Sequence, residues 1–126
     1  MKTVIATDLA PVAIGAYSQA IKTGNIVYVS GQIALNPKTM EVVSDLFSDQ
    51  VSQVLDNLSA VADAADAALS DIVKLTVYLT DINNFAILNE VMTQRFEQPF
   101  PARAVVEVSA LPKGVLVEMD AILSID

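Results

Sequence analysis

One arginine of this chain sits where its direction is fixed. The run Pro99-Phe100-Pro101-Ala102-Arg103-Ala104-Val105-Val106-Glu107-Val108 reads as a strand entered through two prolines. Proline cannot continue a helix, so the chain comes into this strand round a stiff corner. Alternation then puts Ala102, Ala104, Val106 and Val108 on one face, read as the core face, and Arg103, Val105 and Glu107 on the other. The planar fork of an arginine held in one direction suits a carboxylate or a phosphate, because it donates two parallel hydrogen bonds. Taken alone, the run reads first as an Arg on the wet face of an edge strand. Elsewhere, Glu118 and Asp120 hold successive positions on one face of the last strand. Asn89 lies one turn after Phe85 beside an apolar stripe, where an amide reads first as a packing residue. Gly31, inside a β-branched strand, marks a bulge or a close approach of ligand or backbone.

Composition narrows the chemistry further. The chain has no Cys and no His. Thiol nucleophiles, disulfides and a Ser-His-Asp triad are excluded, and a tight transition-metal site is not expected. The lack of Cys suits a cytoplasmic protein. No run approaches the ~20 apolar residues that span a bilayer, so no membrane role is expected. The net charge is -8 and the seven Lys and Arg are scattered, which disfavours direct binding of nucleic acid.

The elements that must position these residues can be read from periodicity. Residues 2–6 predict a short strand, 8–15 a loop, and 17–22 with 26–35 a hairpin turning at Gly24-Asn25. Met40 to Val43 predicts a further short strand. Across 45–69, Phe47, Val51, Val54, Leu55, Leu58, Val61, Ala62, Ala65 and Leu69 step by three and four, which predicts an amphipathic helix capped by Ser44 or Asp45. Val73, Leu75, Val77 and Leu79 form one face of the next strand. Phe85, Leu88, Met92 and Phe96 form the stripe of a second helix, capped by Asp81 or Asn83. The proline corner, the Arg103 strand and a last strand from Val115 to Ile125 complete a single α+β domain over residues 1–126.

Hydrophobic residues make up 53% of this small chain. Small domains bury a modest fraction of their surface, so apolar surplus points to burial against another subunit. The sheet face away from the helices is read as holding Tyr28, Ser30, Thr76, Tyr78, Arg103, Glu107 and Glu118, mixed with Val105, Leu116 and Ile122. That mixture fits an intersubunit face with a polar pocket at its edge.

Four stretches together resemble the Rid family (reactive intermediate deaminases, YjgF-like). They are Gly15-Ala16-Tyr17-Ser18-Gln19-Ala20; Val27-Tyr28-Val29-Ser30-Gly31-Gln32-Ile33; Asp81 through Phe85 and Asn89 to Phe96 and Phe100-Pro101-Ala102-Arg103; and Leu111-Pro112 with Glu118. The resemblance implies a chorismate-mutase-like (ferredoxin-like) α+β fold, a mixed sheet with two helices on one face, assembled as a homotrimer with clefts between subunits. It implies hydrolytic deamination of enamines and imines such as 2-aminoacrylate/2-iminopropanoate and 2-iminobutanoate, giving 2-ketoacids and ammonia without cofactor or metal. Carried over, Arg103 would hold the substrate carboxylate and Glu118 would orient and deprotonate the attacking water. The Val105 carbonyl would be that water's second acceptor. Tyr17, Ser30, Gly31 and Asn89 would line the pocket.

The chain departs from the family pattern at Ala16, where Pro is usual, and at Val105, where Cys is common. Ala104 replaces a usual Ser or Thr, and Met92 a usual aromatic. These changes bear on substrate preference more than on reaction type. The competing function is a non-catalytic 2-ketoacid-binding regulatory module linked to amino-acid or purine metabolism or to translation. Carboxylate binding needs only the Arg, whereas hydrolysis also needs a base for water. Both Arg103 and Glu118 are present, which favours the enzyme.

Overall fold

The computed structural model describes residues 1–126. Its strands are β1 (Lys2–Ile5), β2 (Ala20–Thr23), β3 (Ile26–Ile33), β4 (Ile72–Leu79), β5 (Ala102–Glu107) and β6 (Val117–Ser124). Two helices, α1 (Phe47–Ala64) and α2 (Phe85–Arg95), interrupt them. The strands form one sheet in the order β1-β2-β3-β6-β4-β5. Every pairing is antiparallel except β4 with β5, which are joined through α2 as a parallel crossover needs.

Both helices lie on one face of the sheet. Val51, Val54, Leu55, Leu58 and Val61 of α1 and Leu88 and Met92 of α2 share one buried cluster with Val27, Val29, Leu75, Val77, Met119 and Leu123. The apolar stripe of α1 is thus the core stripe read from its spacing. That stripe also contains two buried amides which hydropathy does not reveal. Gln50 accepts from the Leu116 N–H at 2.8 Å and donates to the Ser44 carbonyl at 2.9 Å. Asn57 donates to the carbonyls of Ile33 and Leu35, each at 3.1 Å. A buried amide left unpaired would be costly, so each of these pins a loop to the helix.

Several boundaries differ from the sequence reading. Helix α1 stops at Ala64, and Asp66 turns the chain with a positive φ of 58°. Its N-cap is Leu46, with no side-chain cap, while the Ser44 hydroxyl accepts from the Leu46 N–H. Strand β2 begins at Ala20 instead of residue 17. Residues 40–43 contribute only a single bridge, Leu35 with Val42. A register shift between Ile72 and Lys74 turns Val73 outward, so Ile72 takes its place in the core.

The largest difference concerns the Arg103 strand. In β5, Arg103, Val105 and Glu107 pair with Leu75, Val77 and Leu79 of β4, all three of them buried under the helices. In a parallel pair, matched residues point to the same side. Arg103, Val105 and Glu107 therefore face the helix layer, and Ala102, Ala104 and Val106 face the open side, the reverse of the sequence reading. The alternation was right and its sign was wrong. Four small or apolar residues looked like the core set, yet Val106 is 42% exposed. No helix is long and apolar enough to cross a membrane.

Candidate functional site

The side chains singled out by sequence fall into two groups on opposite faces of the sheet. The first is built on β5 and α2. Arg103 projects toward α2, where its Nη1 donates to the Asn89 Oδ1 at 2.6 Å and lies 3.6 Å from the Met92 sulfur. Its guanidinium carbon sits 5.2 Å from the centroid of the Phe85 ring, within cation–π range. Three residues of α2, one turn apart in sequence, thus aim one guanidinium. No carboxylate neutralises it, because the chain's only salt bridge joins Arg95 to Asp56. Asn89, Met92, Thr93, Phe100, Pro101 and Arg103 line a cavity of about 300 Å³. An aimed, unneutralised arginine in a cavity is a ready anion site. The asparagine read first as a packing residue is the fork's hydrogen-bond partner.

The second group is built on β3, β6 and the N-terminal loop. Glu118 points to the open face, beside Tyr78 in the β4–β6 register. Gly31 lies within the register shift between Val29 and Gln32, as its position in a strand pattern led us to expect. A Cβ on Gly31 would stand 2.5 Å from Glu118 Oε2 and 3.0 Å from its Cδ. The glycine is therefore the space that the carboxylate occupies. Burial pushes the Glu118 carboxyl above the ordinary range, and the neighbouring Asp120 charge adds to the shift. Ser30 donates to the Ser18 carbonyl at 2.6 Å, tying β3 to the approach to β2.

Residues from this group and from the N-terminal loop, among them Tyr17, Gly31, Glu118, Lys113, Val12 and Ile14, line a cavity of about 280 Å³. The loop wall is fixed by a residue that sequence reading did not single out. Gln19 is buried, donates to the carbonyls of Thr7 and Pro11 at 3.0 and 2.7 Å, and accepts from the Thr7 N–H at 2.7 Å. Gly15 takes φ 134°, a value open to glycine, where the loop turns back toward Tyr17. Lys113, with φ 58°, reaches the same cavity from the turn before β6. The signal for Gln19 lay in the polar Gln among the small residues of 15–20. Nothing in the sequence marks Lys113.

Arg103 and Glu118 share no cavity within one chain. The sequence reading put Arg103 on the open face with Glu118, but the sheet separates them. Val105 packs against the core from the helix side, while its strand β5 is the sheet's edge, paired only with β4.

The profile of the family described as Endoribonuclease L-PSP matches residues 7–125. The chain belongs to this family, the Rid (YjgF-like) proteins. It is 52% identical to a RutC family protein of Pyrococcus horikoshii, over 97% of each chain. It is 46% identical to a 2-iminobutanoate/2-iminopropanoate deaminase of Escherichia coli K12, again over 97% of each. The crystal structure of RidA from an Antarctic Psychrobacter superposes with a TM-score of 0.95 at 50% identity, covering 98% of this chain and 99% of that one. The Rid fold accounts for the single α+β domain, and some relatives carry deaminase names.

Proposed function

We propose that this Rid protein hydrolyses the imines of small 2-amino acids, 2-iminopropanoate (the tautomer of 2-aminoacrylate) and 2-iminobutanoate, to 2-ketoacids and ammonia. The observation that carries the reading is the pair of complementary half-sites: an aimed fork with no carboxylate, and a half-buried carboxylate with no cation within salt-bridge distance. The substrate has the features that would join them. Its carboxylate meets the Arg103 fork, and its C=N carbon lies near a water held by Glu118, with the Val105 carbonyl as that water's second acceptor. Tyr17, Ser30, Gly31 and Asn89 frame the pocket.

The two halves meet when two copies of the chain pack together, and a homotrimer with clefts between subunits is the arrangement we propose. The exposed apolar side chains support this. Val12, Ile14 and Tyr17 beside the Glu118 cavity, Phe100 beside Arg103, and Tyr28 and Val106 on the open face are each at least 42% exposed. Gel filtration with light scattering checks the assembly; a clean monomer mass at micromolar concentration would contradict it.

In the reaction, water oxygen attacks the imine carbon as Glu118 takes its proton. The C=N electron pair goes to nitrogen, giving a tetrahedral aminol. That proton passes to nitrogen; Glu118 then takes the hydroxyl proton and delivers it to the same nitrogen, the C–N bond breaks, and ammonia leaves as the ketone forms. A carboxylate whose pKa is raised is the stronger base once ionised. No cofactor is needed in this scheme, and a chain without Cys suits a cytoplasmic setting.

The half-buried carboxylate also favours hydrolysis over mere 2-ketoacid binding, which would leave Glu118 without a task. The ribonuclease name of the family profile finds little support in a chain of net charge -8 that lacks His. The test is Glu118→Gln. It should lower turnover by about 10²–10⁴-fold and leave 2-ketoacid affinity nearly unchanged. Parallel losses of turnover and affinity would make Glu118 a mere support for Arg103.

A further inference from the structure

On the open face of the sheet, a second carboxylate stands next to Glu118, and it is anchored. Strand alternation puts Glu118 and Asp120 on the same side of β6. Tyr78 of β4 is directly opposite Glu118, and Thr76 is opposite Asp120. From there the Tyr78 phenol reaches diagonally and donates to Asp120 Oδ2 at 2.8 Å. A phenol that donates to a carboxylate fixes its position.

We propose that Tyr78 and Asp120 form a fixed negative charge beside Glu118 that sets the pH range in which the site works, Asp120 acting as a positioning residue for the proton-accepting carboxylate. The proposal rests on Glu118 being the base of the preceding reading. Like charges a strand step apart resist joint ionisation, so an anchored Asp120 makes Glu118 hold a proton more readily. The direction agrees with the raised pKa of Glu118, to which Asp120 contributes after burial. Tyr78 is itself raised, first by its bond to Asp120, so it remains a donor through the neutral range.

The other groups around Glu118 are few. Lys113 lines the same cavity from the turn before β6 without forming a salt bridge, and Tyr17 lines it from the N-terminal loop. From β3 the neighbour is Gly31, which carries no charge. Lys74, opposite Ile122, is the next charge along the face. Lys113 opposes the effect of Asp120, which adjoins Glu118 on the same face of β6.

The experiment follows the Glu118 carboxyl by carbon NMR against pH, with Glu118→Gln to assign its signal, and records kcat/KM against pH on an enamine generated in place. Asp120→Asn keeps the shape and an acceptor for Tyr78 but removes the charge. It should move both the Glu118 midpoint and the acid limb of kcat/KM to lower pH. Tyr78→Phe, which leaves the charge and frees its position, should move both the same way by less. An unmoved Glu118 midpoint in Asp120→Asn would overturn the proposal. So would a midpoint that moves while the acid limb stays. Failure of the underlying reading registers on a different variant, as undiminished turnover in Glu118→Gln.

Discussion

The Arg103 and Glu118 halves are made by opposite means. Arg103 is exposed, and its aim comes from neighbours on one helix: an amide at 2.6 Å, a sulfur and an aromatic face. Glu118 is half-buried, and its position comes from missing atoms, the absent Cβ of Gly31 and a bulge in β3. One half is electrostatically open, a charge waiting for a partner. The other is crowded, with a carboxylate whose ionised form is disfavoured. A binding group has to meet its ligand from solvent, whereas a base gains from being partly dry. The contrast in surroundings therefore matches the tasks proposed for the two residues.

The comparison breaks first at its chemical ends. Glu118→Gln carries the largest expected effect, the roughly 10²–10⁴-fold loss of turnover described above. Arg103→Lys should come next. It keeps the charge but replaces the fork with a point donor, costing about 1.5–3 kcal/mol, or roughly ten- to a hundredfold, and more if the reacting carbon is misplaced. Unlike Glu118→Gln, this loss should appear in 2-ketoacid affinity, read by calorimetry. Near wild-type turnover and affinity in Arg103→Lys would remove the clamp from the account.

Two subtler changes sharpen the difference in how each half is held. Gly31→Ala places a methyl 2.5 Å from Glu118 Oε2. The far end of a flexible side chain can yield, so the fold should survive while the carboxylate moves. A shift of about 1 Å can cost up to 10²-fold in rate, so turnover should fall with ketoacid affinity retained. Asn89→Ala removes the 2.6 Å bond to Arg103 and leaves the Phe85 ring in place. Since Arg103 is exposed, the expected loss of ketoacid affinity is smaller, up to about tenfold, with kcat per bound substrate nearly kept.

The smallest effect is on stability, and its sign also separates the halves. The folded pKa of Glu118 is raised, so folding favours its protonated form. That contribution is present below the ordinary carboxylate range and lost as pH rises through the raised value. At neutral pH ionised Glu118 therefore works against the fold, and Glu118→Gln should melt above wild type. The gap should close as pH falls below about 4, where both forms are neutral. Arg103→Lys should show no such pH-dependent gain. Melting curves of both variants at the two pH values check this.

The sequence was most legible where a period met a single environment. The stripe of α1 and the alternation of β6 came through because each faces either core or not core over its whole length. β5 was misread because an edge strand carries Ala and Val on the side away from the helices. Composition then gives no sign for its two faces, and only the β4 register decides. Gly31 could be read as a bulge, but the carboxylate filling its Cβ position comes from β6, far along the chain. Tyr78 with Asp120 is likewise a long-range pair that no local pattern announces. That Arg103 and Glu118 lie on opposite faces could not be read at all, since motif matching collects residues without saying which chain supplies them.

The central claim is that a working site joins the Arg103 half of one chain to the Glu118 half of another. It is tested most directly by mixing two inactive variants, Arg103→Ala and Glu118→Gln, unfolding them together and refolding. Each alone should be nearly inactive. In randomly mixed closed oligomers, about one quarter of the interfaces would bring an intact Arg103 to an intact Glu118, so deaminase activity should return to about one quarter of wild type. If the mixture, shown by native mass spectrometry to contain hybrids, stays as inactive as its parents, the two halves do not meet across subunits and the account is wrong.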